Sequence, residues 1–178
     1  MGIDLNQKGL AYCIVKQDGN KLNHIKSNNI QYKPTGFIQW DLENKTTEQR
    51  QWIISNKITE LLAIAKSFGI YNVAIENLDF SSTINHMNSG YKSKSNKNNF
   101  NYNKMLTQFA KSQFSEMIQR KTERLGMKLY LVNPTYSSVG GFSKYGFINK
   151  IKVDIAAALW LARQSIYGSC YKTENHVS

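Results

Sequence analysis

Apolar residues recur along this 178-residue chain with two different spacings, and the order of those spacings leaves few folds open. The first third holds short runs separated by turns. "MGIDLN" predicts a strand over 1–6, and "LAYCIVK" a second over 10–16. "QDGN" follows as a turn, its Asp-Gly pair suited to a tight hairpin. A third strand with weaker alternation is expected over 22–30, and after Pro34 "GFIQWDLEN" reads as an irregular or edge segment. From there the spacing becomes helical. Thr46 or Thr47 can cap a helix that takes Glu48 and Gln49 into its first turn. Ile54, Ile58, Leu61, Leu62 and Ala65 form its apolar face, Trp52, like Trp160, fits helix–sheet packing, and Gly69 closes the helix. "YNVAIEN" predicts a strand carrying Glu76, 104–125 a second long helix with Lys111, Arg120, Lys121 and Arg124 facing outward, and "MKLYLVNP" a further strand. "VDIAAALWLARQSI" predicts the last helix, starting near Asp154 and rich in small residues.

That succession is β-β-β-α-β-α-β-α. Three antiparallel strands followed by strand–helix alternation imply an α/β fold, a mixed five-stranded sheet with helices on both faces. This is the ribonuclease H-like order. One domain is expected over 1–168, with 169–178 a polar tail. Within it, 81–104 turns to Ser, Asn, Gly and Lys, with Lys92, Lys94, Lys97 and Lys104 and no acid, the composition of a mobile basic loop.

Charge narrows the partners. Lys and Arg number 23 against 12 Asp and Glu, a net charge of +11, which is an electrostatic footprint for nucleic acid. No apolar run approaches the ~20 residues of a membrane span, and no leader of the signal-peptide kind is visible, so the cytoplasm is expected. Cys13 and Cys170 give neither metal spacing nor a disulfide framework, and His24, His86 and His176 are scattered. The segment 136–152 interleaves Tyr136, Phe142, Tyr145 and Phe147 with Lys144, Lys150 and Lys152. Bases can stack on such rings while lysines hold phosphates; simple loop packing explains the pattern equally well.

Acids are scarce, so each can be weighed. Asp4, Glu76 and Asp154 sit within or beside apolar runs, whereas Asp41, Glu43, Glu48, Glu60, Glu116, Glu123 and Glu174 fall on polar faces or loops. A lone acid inside a core strand is costly unless it is paired or binds a cation. If the first and fourth strands are neighbours, Asp4 and Glu76 meet side by side, and Asp154 closes on them from the head of the last helix. Three oxygen donors without His or Cys suit Mg²⁺ or Mn²⁺. Each acid alone also has a structural account: a buried Lys partner for Asp4, an exposed strand end for Glu76, a helix cap for Asp154.

Four segments in this order, "GIDLN", "VAIENLDF", "GMKLYLVNPTYSS" and "VDIAAALWLAR", resemble the RuvC-like nuclease domain of transposon-encoded TnpB proteins, a kind of domain that type V CRISPR effectors also carry. The resemblance spans nearly the whole chain. It implies a DNA endonuclease with a two-metal site of Mg²⁺ or Mn²⁺, formed by the acids that fall at Asp4, Glu76 and Asp154. It implies DNA as substrate, single-stranded or unwound, and a guide RNA held by an N-terminal portion that this sequence lacks. A strand at residue 1 is then expected either of a domain cut from a longer protein or of a minimal relative working with partners. Family members commonly insert a zinc ribbon with paired CxxC motifs before the last acid; here "VGGFSKYGFINK" stands in that place, and structural zinc is not expected. Holliday-junction resolvases of the same fold usually set two acids about a turn apart on the last helix. Ile155, Ala156, Ala157 and Ala158 follow Asp154 here, which favours the TnpB-like reading. The expected nucleic-acid contacts are Lys92, Lys94, Lys97, Tyr136, Lys144, Tyr145 and Lys150. The alternative is a catalytically silent nucleic-acid-binding or scaffold module on the same fold.

Overall fold

Ile3 points to one side of its strand and Gly2 and Asp4 to the other, and the same alternation in each neighbouring strand sorts the molecule into three layers. A computed structural model describes residues 1–21, 33–77, 97–133, 151–167 and 170–172; for 97–109 and 170–172 it describes the backbone alone. The strands are β1 (Gly2–Asn6), β2 (Gly9–Cys13), β3 (Thr35–Gln39), β4 (Asn72–Glu76), β5 (Lys128–Val132) and β6 (Cys170–Lys172). The long helices are α1 (Thr47–Ser67), α2 (Lys97–Arg124) and α3 (Val153–Tyr167). None of the helices among the described residues is long and apolar enough to cross a membrane.

The sheet order is β3-β2-β1-β4-β5-β6. β1, β2 and β3 pair antiparallel, β1–β4 and β4–β5 pair parallel, and β6 returns antiparallel on β5. The expected mixed α/β sheet is therefore present, with β1 beside β4. On one face Ile3, Leu10, Ile38, Ile75 and Leu129 pack with Ile58 and Leu62 of α1 and Phe114 and Ile118 of α2. Each such side chain, fully buried, contributes about 1.5–3 kcal/mol. On the other face Ala11 and Cys13 meet Ala156, Ala158 and Leu159 of α3, while Ala74 and Val132 meet Leu161.

Local chemistry accounts for the helix ends. Thr46 caps α1 through a reciprocal box: the Gln49 backbone N–H donates to Thr46 Oγ1 at 3.2 Å, and the Thr46 N–H donates to Gln49 Oε1 at 2.9 Å. Gly69 and Gly126, just past α1 and α2, take the left-handed turn at φ +66° and +64° that reverses the chain.

The strand expected over 22–30 lies outside the described residues. The segment after Pro34, expected as irregular or edge, forms β3 at the edge of the described sheet; Ile38, with Trp40 and Leu42 beyond the strand's end, alternates into the core and anchors it. Three expectations need correction. α2 begins at Lys97, so 97–104 is helical and not part of a loop, while 81–96 lies outside the described residues. The sheet gains a sixth strand, β6, from the segment expected to be a frayed tail, because residues 170–172 complete the open edge of β5. Trp52, expected to pack between helix and sheet, is 69% exposed, since it lies off the Ile54/Ile58/Leu61 face of α1.

Candidate functional site

The site is built from side chains that the α3 face of the sheet leaves polar. Along β1, Gly2, Asp4 and Asn6 share that face by alternation; along β4, Ala74 and Glu76 do. The β1–β4 register pairs Gly2 with Ala74 and Ile3 with Ile75. One step further along the same register sets Asp4 against Glu76. Asp154 enters from above, in the first turn of α3. An acid is at home there, because the helix dipole and the unpaired first N–H groups favour negative charge.

Close approach of α3 to β1 makes this convergence possible. A Cβ on Gly2 would fall 2.0 Å from the Ala158 carbonyl oxygen and 2.6 Å from the Ala162 nitrogen, so only glycine lets the helix backbone lie this near. The helix carries Ala156, Ala157, Ala158 and Ala162 buried, which keeps it low on the sheet.

Electrostatics follow from that packing. Asp4 is 9% exposed. Burial, then the neighbouring charges of Glu76 and Asp154, push its carboxyl from the ordinary 3.8 up to about 7, against a smaller downward pull from Lys111. Asn6 donates from Nδ2 to Asp154 Oδ1 at 2.9 Å, tying β1 to α3 directly. Among the described residues, no group of three His, Cys, Asp or Glu side chains is drawn tightly enough together to hold an ion. Three like charges on one face repel each other, which opposes that last approach. In donor chemistry the residues fit a hard divalent cation: all the donors are oxygens, and the buried Asp4 carboxyl is one whose charge a cation would stabilise.

Asp4, Glu76 and Asp154 are thus brought to one face at one end of the sheet. Of the residues expected to contact nucleic acid, Lys92, Lys94, Tyr136, Lys144, Tyr145 and Lys150 lie outside the described residues, and Lys97 opens α2 with only its backbone described. Two residues of this neighbourhood escaped the sequence reading. Asn6 was findable, since it lies two places after Asp4 on the same strand. Lys111 was expected to face outward and is half-buried, with its charge felt at Asp4; its position depends on how α2 packs, for which the sequence carries no local signal.

No family model matches the chain, and no curated protein matches it in sequence. Among solved structures it is similar to T. thermophilus RuvC in complex with a Holliday junction substrate, over 96% of each chain, with a TM-score of 0.54 and 13% identity. At that identity the likeness is one of fold. The fold is ribonuclease H-like, in the RuvC manner, as the element order implied.

Proposed function

We propose that this chain, with its RuvC-like fold, is a divalent-metal-dependent endodeoxyribonuclease domain that hydrolyses phosphodiester bonds. The observation that carries the reading is that Asp4, Glu76 and Asp154 lie at one end of the sheet, near enough that the other two acids, after burial, help raise the Asp4 carboxyl to about 7. Asp4, Glu76 and Asp154 would hold one or two Mg²⁺ or Mn²⁺ ions, which in such a site lower the pKa of water and neutralise charge on the departing oxygen. The chain's own part is orientation. β1 and β4 fix two carboxylates in register, and α3 holds the third against them. Asn6 restrains Asp154 through its side-chain amide. The +11 charge draws a polyanionic substrate to the surface.

The finer reading is a TnpB-like, RNA-guided nuclease, in which a guide RNA and an N-terminal portion or partner protein present unwound DNA. Its support is the four sequence segments in order, and the lone acid heading α3 where junction resolvases usually set two. The solved structure of similar fold is in complex with a Holliday junction, so branched DNA belongs among the substrates tried. Incubating the chain with labelled single-stranded, duplex and four-way DNA in Mg²⁺, Mn²⁺ or EDTA tests the reading. Cleavage is expected with the metals alone.

A second reading has an observation of its own. The Lys111 ammonium lowers the Asp4 pKa from within the chain, which is how a silent, DNA-binding relative would neutralise a retained acid. DNA binding with no cleavage under any metal, together with unchanged binding in Asp4→Asn, would select that reading.

A further inference from the structure

Asn6 ends β1 at the point where the chain turns into β2, and both ends of its side-chain amide are engaged. Its Oδ1 accepts from the Lys8 backbone N–H at 3.1 Å, and its Nδ2 donates to Asp154 Oδ1 at 2.9 Å. The two bonds fix the amide's orientation: flipped, it would set oxygen against carboxylate and NH₂ against N–H. The turn that supplies the Lys8 N–H is itself held. The Trp40 backbone N–H donates to the Lys8 carbonyl at 3.0 Å, and its indole Nε1–H donates to the Gln7 carbonyl at 2.9 Å. Trp40 is only 5% exposed, so this chain of bonds runs from the core through the 7–8 turn to the acid on α3. Asp154 is 148 residues away from Asn6 in sequence. A link of that span between sheet and helix is not needed to form either element; what it controls is where the Asp154 carboxylate stands.

We propose that Asn6 is a positioning residue: held by the 7–8 turn, its amide occupies Asp154 Oδ1 and so orients that carboxylate for the divalent cation that Asp154 and Asp4 would help to hold. The inference rests on the metal-site reading above. An amide is suited to this work because it donates without adding charge to a place that already holds three acids. Lysine at this position would compete with the cation, and aspartate would repel Asp154. Outer hydrogen bonds of this kind orient a ligand before the ion arrives, and their loss typically weakens metal affinity about 10–100-fold.

Binding of Mn²⁺ alone to the full chain, followed by the electron paramagnetic resonance of free Mn²⁺, separates the possibilities. Asn6→Ala is expected to weaken Mn²⁺ binding about tenfold or more. Asn6→Asp keeps the shape and the acceptor for Lys8 but loses the donor and sets a fourth acid against Asp154, so the metal-free protein should melt lower than wild type. Mn²⁺ affinity of Asn6→Ala within about twofold of wild type, well inside the range cited, would overturn the role of Asn6 while leaving the site itself intact. Wild type and Asp154→Ala binding Mn²⁺ equally poorly would overturn the site and Asn6's role with it.

Discussion

An aspartate 9% exposed beside two further acids makes the metal-free protein sensitive to pH at a single residue. The Asp4 pKa is raised from 3.8 to about 7, by burial first and by Glu76 and Asp154 after it. Between those values the folded chain keeps a proton that the unfolded chain has lost. This group therefore stabilises the fold fully below its unfolded pKa, and the contribution is lost as pH rises through the folded one. At about 1.4 kcal/mol per unit, the loss is at most about 4 kcal/mol. Comparing wild type with Asp4→Asn isolates the carboxyl. The stability of Asp4→Asn relative to wild type, by urea unfolding, should grow between about pH 4.5 and pH 7.5, and Mg²⁺ should shrink that growth. A relative stability that is flat with pH contradicts the clustered acids. Asp4, Glu76 and Asp154 were legible in the sequence because an acid inside an apolar run is expensive. Lys111 was not, because a lysine on a helix is usually solvated and only packing brings its charge to Asp4.

Between elements, the contact that decides the site is β1 against α3. Gly2→Ala would put a methyl group 2.0 Å from the Ala158 carbonyl oxygen, and neither backbone can yield without moving the helix. The expected cost is about 1–3 kcal/mol of stability, the usual penalty of overpacking. Mn²⁺ affinity should fall with it, since Asp154 rides on α3. Calorimetry of the variant checks both, and unchanged Mn²⁺ binding would uncouple the helix from the site. On the opposite face of the sheet, Thr46→Ala removes the α1 capping box and should cost about 1 kcal/mol while leaving metal affinity as it was. A Tm series with and without Mn²⁺ distinguishes the two effects. Helix α1 could be read closely from its cap and its apolar spacing. β3 was legible only as an irregular or edge segment, although Ile38, Trp40 and Leu42 alternate as a strand should; Gln39 and Asp41 between them, with Gly36 before, blurred the period of two. β6 had no local signal, because three residues pair there only when the edge of β5 is available.

At the scale of the whole molecule, the excess of 23 basic over 12 acidic residues suits a polyanionic partner, which under the proposed function is DNA. Affinity should fall at least about tenfold between roughly 50 and 200 mM salt, with little dependence on sequence, because phosphate contacts release counterions. Fluorescence anisotropy measures it, and an affinity insensitive to salt would remove the electrostatic account. The order of strands and helices was legible because hydrophobic spacing changes from two to about 3.6 residues between elements. That Asp4 and Glu76 face each other once β1 and β4 are neighbours followed from the same order; how near α3 brings Asp154 did not, since it depends on a glycine at the crossing. The central claim is that these acids together form the metal site of a DNA nuclease. Its most direct test is cleavage of labelled single-stranded and four-way DNA in Mn²⁺ by wild type, Asp4→Asn, Glu76→Gln and Asp154→Asn. Wild type should cut with metal and not with EDTA, and each variant should lose at least about 100-fold of the rate, since positioning and charge stabilisation fail together. Cleavage that persists in EDTA or survives all three substitutions would contradict the claim, as would a wild type that binds these DNAs and never cuts them.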